Sequence, residues 1–464
     1  MDAIYDLSKF VANTKYEQIP PKAIKVTKYS ILDTLSTIIG GSTAGAGCKE
    51  IVELVKDGGG KPESSILSYG GKVPAWMAAL ANGAMSHSLD FDDVDDKSAV
   101  HPGVGTVPAA FPIAERVGKV NGKEFLTAIC LGGDVVIRLG YAGKKGQGGF
   151  KWLAGQVYGY FSATAACGRL LKLNADQLVD AFGIVLMQTG GTYEPIVATG
   201  GIVRGIWPAY TSHAGVLSAL MAQKGIAGSK DSLEGKSALF QAFVDGKYDR
   251  NYLVDDLGKK FYMADSGFKP WPCSGLSKPH IEATLHIVNT NHIKSQDIDE
   301  ITVFVSDYAK LLVEPASQRR NPQTTMDAKW SLPYIVSVAA TKGKVGIGDF
   351  TATGIKNPDV LRLVQKVKYQ YDPQLTGGQG GWVGVAPGRV EIKTVDGRKY
   401  TKQVDVALGY GTHPMSKQQH EEKFRDCAAY SAKPLSSNDI NTVIQMVDNL
   451  EKVDDVAEIV KILS

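Results

Sequence analysis

Closely spaced cysteines are the first thing this sequence lacks. Its five cysteines stand at positions 48, 130, 167, 273 and 427, and the smallest interval, 130 to 167, is 37 residues. No C-x-x-C pair is present to hold zinc or an iron–sulfur cluster. An odd number of scattered thiols fits a reducing compartment rather than a disulfide framework. Long apolar runs are missing as well. Nothing approaches the roughly 20 uninterrupted apolar residues of a membrane span, and Met1–Tyr16 lacks the charged-then-apolar order of a signal peptide. The expectation is a soluble, cytoplasmic protein with no membrane partner. A charge excess of one sign is the third absence. Lysine and arginine number 51 against 48 acidic residues, a formal net charge of +3, so no whole-chain basic field exists to hold nucleic acid. Phosphate-binding and hydrolase signatures fail too. The glycines from Gly143 to Gly155 are not followed closely by Gly-Lys-Ser/Thr, and Lys230 stands where the first glycine of a loop ending in Gly235-Lys236-Ser237 belongs. There is no Rossmann strand–turn–helix frame, no G-x-S-x-G elbow and no HExxH.

What is present is ordinary globular composition: 464 residues, 44% hydrophobic and 21% charged. That suffices for two or three domains at roughly 150 residues each and is too apolar for general disorder. From Ile4 to about Ala222 the pattern is helical. Ile24, Thr27, Ile31, Leu35 and Ile38 recur at three- and four-residue spacing. Pro20 and Pro21 suit the start of that helix and Gly40-Gly41 its end. Alanine-rich stretches at Pro74–Ser88 and Ser162–Leu173 allow close backbone packing. After about Asp265 the pattern changes. Ile298–Val305 alternates as a strand, and Arg389–Val395, Asp396-Gly397 and Arg398–Val404 spell a hairpin, since Asp-Gly supplies the positive φ of a tight turn. Helical stretches lie between them at Ser331–Thr341 and Pro358–Lys366. Ser416–Ser464 returns to helix and is expected to rejoin the first body.

Chemistry concentrates in two clusters. The first is His87-Ser-Leu-Asp90-Phe-Asp92-Asp93-Val-Asp95-Asp96, followed by His101-Pro102-Gly103. Five carboxylates in seven residues repel one another unless cations, protons or hydrogen bonds compensate them. An EF-hand loop beginning at Asp90 would need glycine at 95 and glutamate at 101, where Asp95 and His101 stand, so the calcium reading fails. The loop lies between two apolar helical stretches, a plausible wall for a site. The second cluster is Gly267-Phe-Lys269-Pro-Trp-Pro-Cys273-Ser274-Gly-Leu-Ser-Lys278-Pro-His280. Its prolines stiffen the segment, so Lys269 is held in place for carboxylate binding or proton transfer, with partial desolvation lowering its pKa. Arg204, among glycines in Gly200-Gly-Ile-Val-Arg204-Gly, is a third candidate for gripping a carboxylate.

At these clusters the sequence resembles the MmgE/PrpD family, which includes 2-methylcitrate dehydratase, cis-aconitate decarboxylase and iminodisuccinate epimerase. The shared pieces run along nearly the whole chain: Ile31-Leu-Asp-Thr-Leu, His87-Ser-Leu-Asp-Phe-Asp-Asp, His101-Pro-Gly, Val203-Arg, His213-Ala-Gly-Val-Leu, Lys269-Pro-Trp-Pro-Cys, Asp327-Ala-Lys-Trp-Ser-Leu-Pro-Tyr and Lys423-Phe-Arg. The resemblance implies a mainly α protein. A large all-helical domain, residues 1–265 plus 406–464, is completed by the C-terminal helices, and a smaller α+β lid domain, residues 266–405, is inserted in it. It also implies a homodimer, a site in the cleft and chemistry without cofactor or metal. Position by position, the family's catalytic aspartate falls on Asp90, its loop histidine on His101, a basic residue on Arg204 and the lysine before the proline–cysteine turn on Lys269. Val94 stands where many relatives carry threonine, and Ser274 where decarboxylases carry histidine. The expected site therefore has Asp90, His101 and Lys269 as catalytic residues, with Arg204, Asp93, Ser274 and Lys278 binding substrate. The expected activity is a lyase acting on a small di- or tricarboxylate next to a carboxylate, most simply by loss of water as in 2-methylcitrate dehydratase. Epimerisation, decarboxylation and a non-catalytic dimeric binding protein are the alternatives.

Overall fold

Small residues decide how closely the helices approach. In the computed structural model, which describes residues 1–144, 151–197, 201–375 and 386–464, the Pro21–Ala44 helix starts on proline as expected. It does not stop at Gly40-Gly41, however. A Cβ on Gly41 would lie 2.5 Å from the Ser88 hydroxyl and against the Met85 carbonyl, so these glycines are contact points between helices rather than a terminator. Gly45 ends the helix instead. Gly83 plays the same part in the Ala75–His87 helix, where a Cβ would meet the Pro208 carbonyl oxygen at 2.6 Å. Gly146, Gly148, Gly149 and Gly200, noted in the sequence, lie outside the described residues.

Around these contacts the chain is mainly helical with a small sheet. One apolar core gathers residues from Ala3 to Met263 together with Phe424, Val443, Val447, Leu450 and Ile459. The C-terminal helices Lys417–Ala428, Ser437–Asp448 and Ala457–Leu463 thus pack with the first helices, as their apolar spacing demands. Gly122–Gly143 is the one helix among the described residues long and apolar enough to cross a membrane. It is 94% buried and carries the internal Asp134–Arg138 ion pair, so it reads as a core helix.

Six strands are described. β1 (Ser64–Ser65) and β2 (Lys72–Val73) form a two-stranded antiparallel ribbon. β3 (Ile298–Val305), β4 (Val367–Tyr371), β5 (Gly388–Thr394) and β6 (Lys399–Val404) form a sheet in the order β4-β3-β5-β6. β3 runs parallel to β4 and antiparallel to β5, and β5–β6 is the hairpin read from the sequence. Ile301, Val303, Val390 and Ile392 pack with Ala283 and Ile287 of the Lys278–Thr290 helix and with Leu332 and Val336. The hairpin turn differs in detail from the expected tight Asp-Gly turn. Only Gly397 has positive φ, +86°, and its N–H bonds the Thr394 carbonyl. This is a β-turn followed by a left-handed glycine.

Two connections position the site. The acidic loop is bridged to the start of the second cluster by reciprocal hydrogen bonds between Val94 and Gly267, 3.0 and 2.8 Å. Phe268 N–H in turn bonds the Gly409 carbonyl at 2.7 Å.

Candidate active site

The Ala75–His87 helix ends in a turn in which Asp90 N–H bonds the His87 carbonyl at 2.8 Å. Asp90 itself adopts φ +53°, an uncommon conformation for a residue with a Cβ. That turn drives its carboxylate into a cluster of donors. Lys269 Nζ lies 2.5 Å from Oδ1, while an Arg204 guanidinium NH at 3.1 Å and the Trp330 indole N–H at 2.6 Å donate to Oδ2. Arg204 also stacks on the Trp330 ring, 3.6 Å from its centroid. Burial pushes the Asp90 pKa up, but Lys269 and Arg204 outweigh it and hold the carboxyl well below the usual range. Burial would lower Lys269; Asp90 and Asp92 override it and raise it. The expectation of a desolvated lysine with lowered pKa is therefore corrected. Lys269 is a fixed cation whose proton is held by two carboxylates.

Asp92, fully buried, faces two histidines. His87 Nδ1 lies 2.7 Å from Oδ1 and His101 Nδ1 2.6 Å from Oδ2. His101 Nδ1 also lies 2.8 Å from the Asp93 backbone carbonyl. Burial raises Asp92, but His87 and Lys269 outweigh it, so the carboxyl sits well below the usual range and only accepts hydrogen bonds. The Asp92 carboxylate keeps hydrogen on His87 Nδ1 and the Asp93 backbone carbonyl keeps it on His101 Nδ1, which leaves Nε2 of His101 with the free lone pair in that tautomer. The three side chains bring one donor atom each within 4.8 Å of one another. Their 2.6–2.7 Å contacts are hydrogen-bond lengths, whereas ligands about 2.0–2.2 Å from one ion stand farther apart than that. His87 hydrogen-bonds Asp92 Oδ1, while His101 Nδ1 bonds the Asp93 carbonyl and lies in charge contact with Asp92 Oδ2.

The remaining carboxylates are all spoken for. Asp93 accepts from the Ser30 hydroxyl at 2.5 Å and, with both oxygens, from Gly103 N–H at 3.0 Å, at the start of the Pro102–Val117 helix. The helix start favours the ionised form there, but burial and the nearby Asp33 outweigh it and raise the carboxyl to about 7. Asp93, expected from the sequence to bind substrate, is fully buried, is not among the residues lining the cavity, and anchors a helix. Asp95 accepts from the backbone N–H and hydroxyl of Ser98, 2.7 and 2.6 Å. Asp96 pairs with Lys278 at 2.9 Å. Lys278 lies over the Tyr410 ring, is not among the residues lining the cavity, and supports Asp96. Burial raises Asp96 to about 6 and lowers Lys278 to about 8, each shift opposed by the charge of the other. Each of the five acids meets a different donor, and the repulsion expected from their crowding is relieved separately at each.

A cavity of about 310 Å³ opens here, within the range of small-molecule sites. Asp90, Asp96, His101, Arg204, Lys269 and Ser274 supply its polar wall. Val157, Ile196, Phe243, Leu276 and Leu311 supply apolar surface. Of the residues expected from sequence, Asp90, His101, Arg204, Lys269 and Ser274 meet at one cavity. Arg204 Nε is buried without a hydrogen-bond partner among the described residues. Three contributors were not singled out in the sequence. Asp92 was hidden among equivalent acids, His87 stands at a helix end, and Trp330 lies 240 residues from Asp90.

The family model described as the MmgE/PrpD N-terminal domain matches residues 5–251, and that of the MmgE/PrpD C-terminal domain matches residues 271–449. Cis-aconitate decarboxylase of Homo sapiens is 25% identical over 97% of this chain and 92% of its own length. That of Aspergillus terreus is 23% identical over 99% of this chain and 95% of its own. The cis-aconitate decarboxylase-like protein oryM of Aspergillus oryzae is 24% identical over 99% and 96%. With both domains matched in order along the chain, this protein belongs to the MmgE/PrpD family.

Proposed function

We propose that this protein is a cofactor-independent lyase that moves a proton on the carbon next to a carboxylate of a small di- or tricarboxylic acid, with loss of water as the outcome. The observation that supports it most is the His101 ring at the cavity wall, with Nδ1 committed to the Asp93 carbonyl and the Asp92 carboxylate beside it. Neutral Nε2 takes the carbon-bound proton, and Asp92 stabilises the imidazolium that forms. Arg204 and Lys269 stabilise the negative charge that develops on the substrate. The electron pair of the broken C–H bond becomes the new C=C bond, the C–O bond breaks, and the proton on His101 leaves with the hydroxide as water. We also propose a cytoplasmic homodimer, which light scattering of the purified protein would test.

The names of the relatives favour decarboxylation as a second reading. In that reaction His101 starts as the imidazolium: the bond to the departing carboxylate breaks, carbon dioxide leaves, the electron pair stays on the substrate carbon, and His101 Nε2–H protonates it. Epimerisation of a dicarboxylate uses the same proton transfer. Incubation with 2-methylcitrate, citrate, cis-aconitate and iminodisuccinate in heavy water, followed by proton NMR, separates these outcomes. Loss of water from a hydroxy acid is expected. Carbon dioxide from cis-aconitate without any dehydration would replace the first reading by the second. Binding of these acids with neither exchange nor product would remove catalysis altogether.

A further inference from the structure

Two buried lysines stand behind the acidic loop without lining the cavity. Lys329, 2% exposed, donates from Nζ to the Ser88 carbonyl at 2.8 Å and forms no ion pair among the described residues. Lys423 donates to Asp33 at 2.6 Å, to the Phe91 carbonyl, and to the Lys269 carbonyl at 3.0 Å. Ser88 and Phe91 flank Asp90, whose φ of +53° is a conformation that a residue with a Cβ leaves unless its surroundings hold it. We propose that Lys329 and Lys423 are positioning residues whose ammonium groups hold the backbone on both sides of Asp90, keeping its carboxylate on Lys269, Arg204 and Trp330.

Each lysine also ties the loop to a segment that carries a site residue. Lys329 precedes Trp330, the indole donor to Asp90, and its own carbonyl accepts from Ser274 N–H at 3.1 Å. Lys423 holds the carbonyl of Lys269 itself. A cation buried with no carboxylate in direct contact is costly, and burial, only partly opposed by the charge of Asp90, pushes Lys329 down to about 8. Packing alone would be served better by an apolar side chain of similar size, because replacing buried charge in this way is often neutral or stabilising. A positioning role and a packing role therefore predict opposite behaviour for Lys329→Met.

The test is a crystal structure, a thermal midpoint, and kcat and KM on 2-methylcitrate and cis-aconitate for full-length Lys329→Met. We expect an unchanged or higher midpoint, Asp90 out of the left-handed region or off Lys269, and kcat lowered about 10²-fold with KM changed much less, the scale of a displaced catalytic group. Asp90 unmoved, with its three contacts intact, would overturn the proposal. Should Lys329→Met not fold, the same measurements on the double variant Asp33→Asn/Lys423→Met, which removes the Lys423 ion pair as a unit, decide it. Only the kinetic arm rests on the function proposed above. If the wild type turns over neither acid, that reading fails, and the position of Asp90 in the variant still settles the role of the lysines.

Discussion

At the scale of single residues, Asp92 is the group on which the chemistry turns, because its charge lies beside two imidazoles. Asp92→Asn removes the negative charge beside both rings, so the imidazolium form of His101 loses its stabilisation while the Asp93 carbonyl still holds Nδ1–H. The expected result is kcat lowered by about 10²–10⁴, the range for a disabled proton-transfer group, with a smaller change in KM. Steady-state kinetics on the acid identified by NMR measures this. Asp93 makes a different prediction. Burial first, then the nearby Asp33, pushes its carboxyl up to about 7, against about 4 in an unfolded chain. Between those values the folded state keeps a proton that the unfolded state releases. Asp93 therefore contributes a loss of stability as pH rises through that window, at most about 1.4 kcal/mol per pH unit. Asp93→Asn removes this slope, which urea unfolding at several pH values would show. Asp90 and Asp92 have the opposite sign: held below the usual range, they stabilise above about pH 4, and that stability is lost as pH falls further. The sequence marked the acid cluster. It could not say that Asp90 turns toward the cavity while Asp93, three residues on, turns toward Ser30, because a positive φ at Asp90 re-aims the chain.

At the scale of elements, periodicity worked where a segment was long. Ile298–Val305 was legible to its ends because Ile301, Val303 and Val305 alternate onto a buried face. It failed where one residue type serves two purposes. Gly40-Gly41 read as a stop, yet the Pro21–Ala44 helix needs those glycines to approach the end of Ala75–His87. The two-residue strands β1 and β2 left no period to detect. The helix contact yields a prediction. In Gly41→Ala the new Cβ falls 2.5 Å from Ser88 Oγ, and a methyl forced into such a contact typically costs about 1–3 kcal/mol. Because Ser88 lies two residues before Asp90, turnover should fall together with the thermal midpoint. A variant with lowered stability and full kcat would separate the two.

At the scale of the whole molecule, the last 50 or so residues complete the first core. Phe424, Val443, Val447, Leu450 and Ile459 are each 0–1% exposed, and burying such side chains is worth about 1.5–3 kcal/mol apiece. Their sum rivals the about 5–15 kcal/mol stability of a whole protein. A chain ending at Pro414 should therefore lose cooperative thermal unfolding by circular dichroism and resistance to limited proteolysis. A cooperative melt from the truncated chain would show that the first core stands alone.

Composition, spacing and ordered motifs in the sequence were enough for the mainly helical class, the hairpin, the family resemblance and most of the residues that meet at the cavity, since these depend on local pattern and residue type. Which acid faces which donor, that Lys269 keeps its proton, and that Trp330, Lys329 and Lys423 come to the same loop were decided only in three dimensions. Those outcomes depend on burial and on distances between segments hundreds of residues apart, quantities that no local stretch of chain contains.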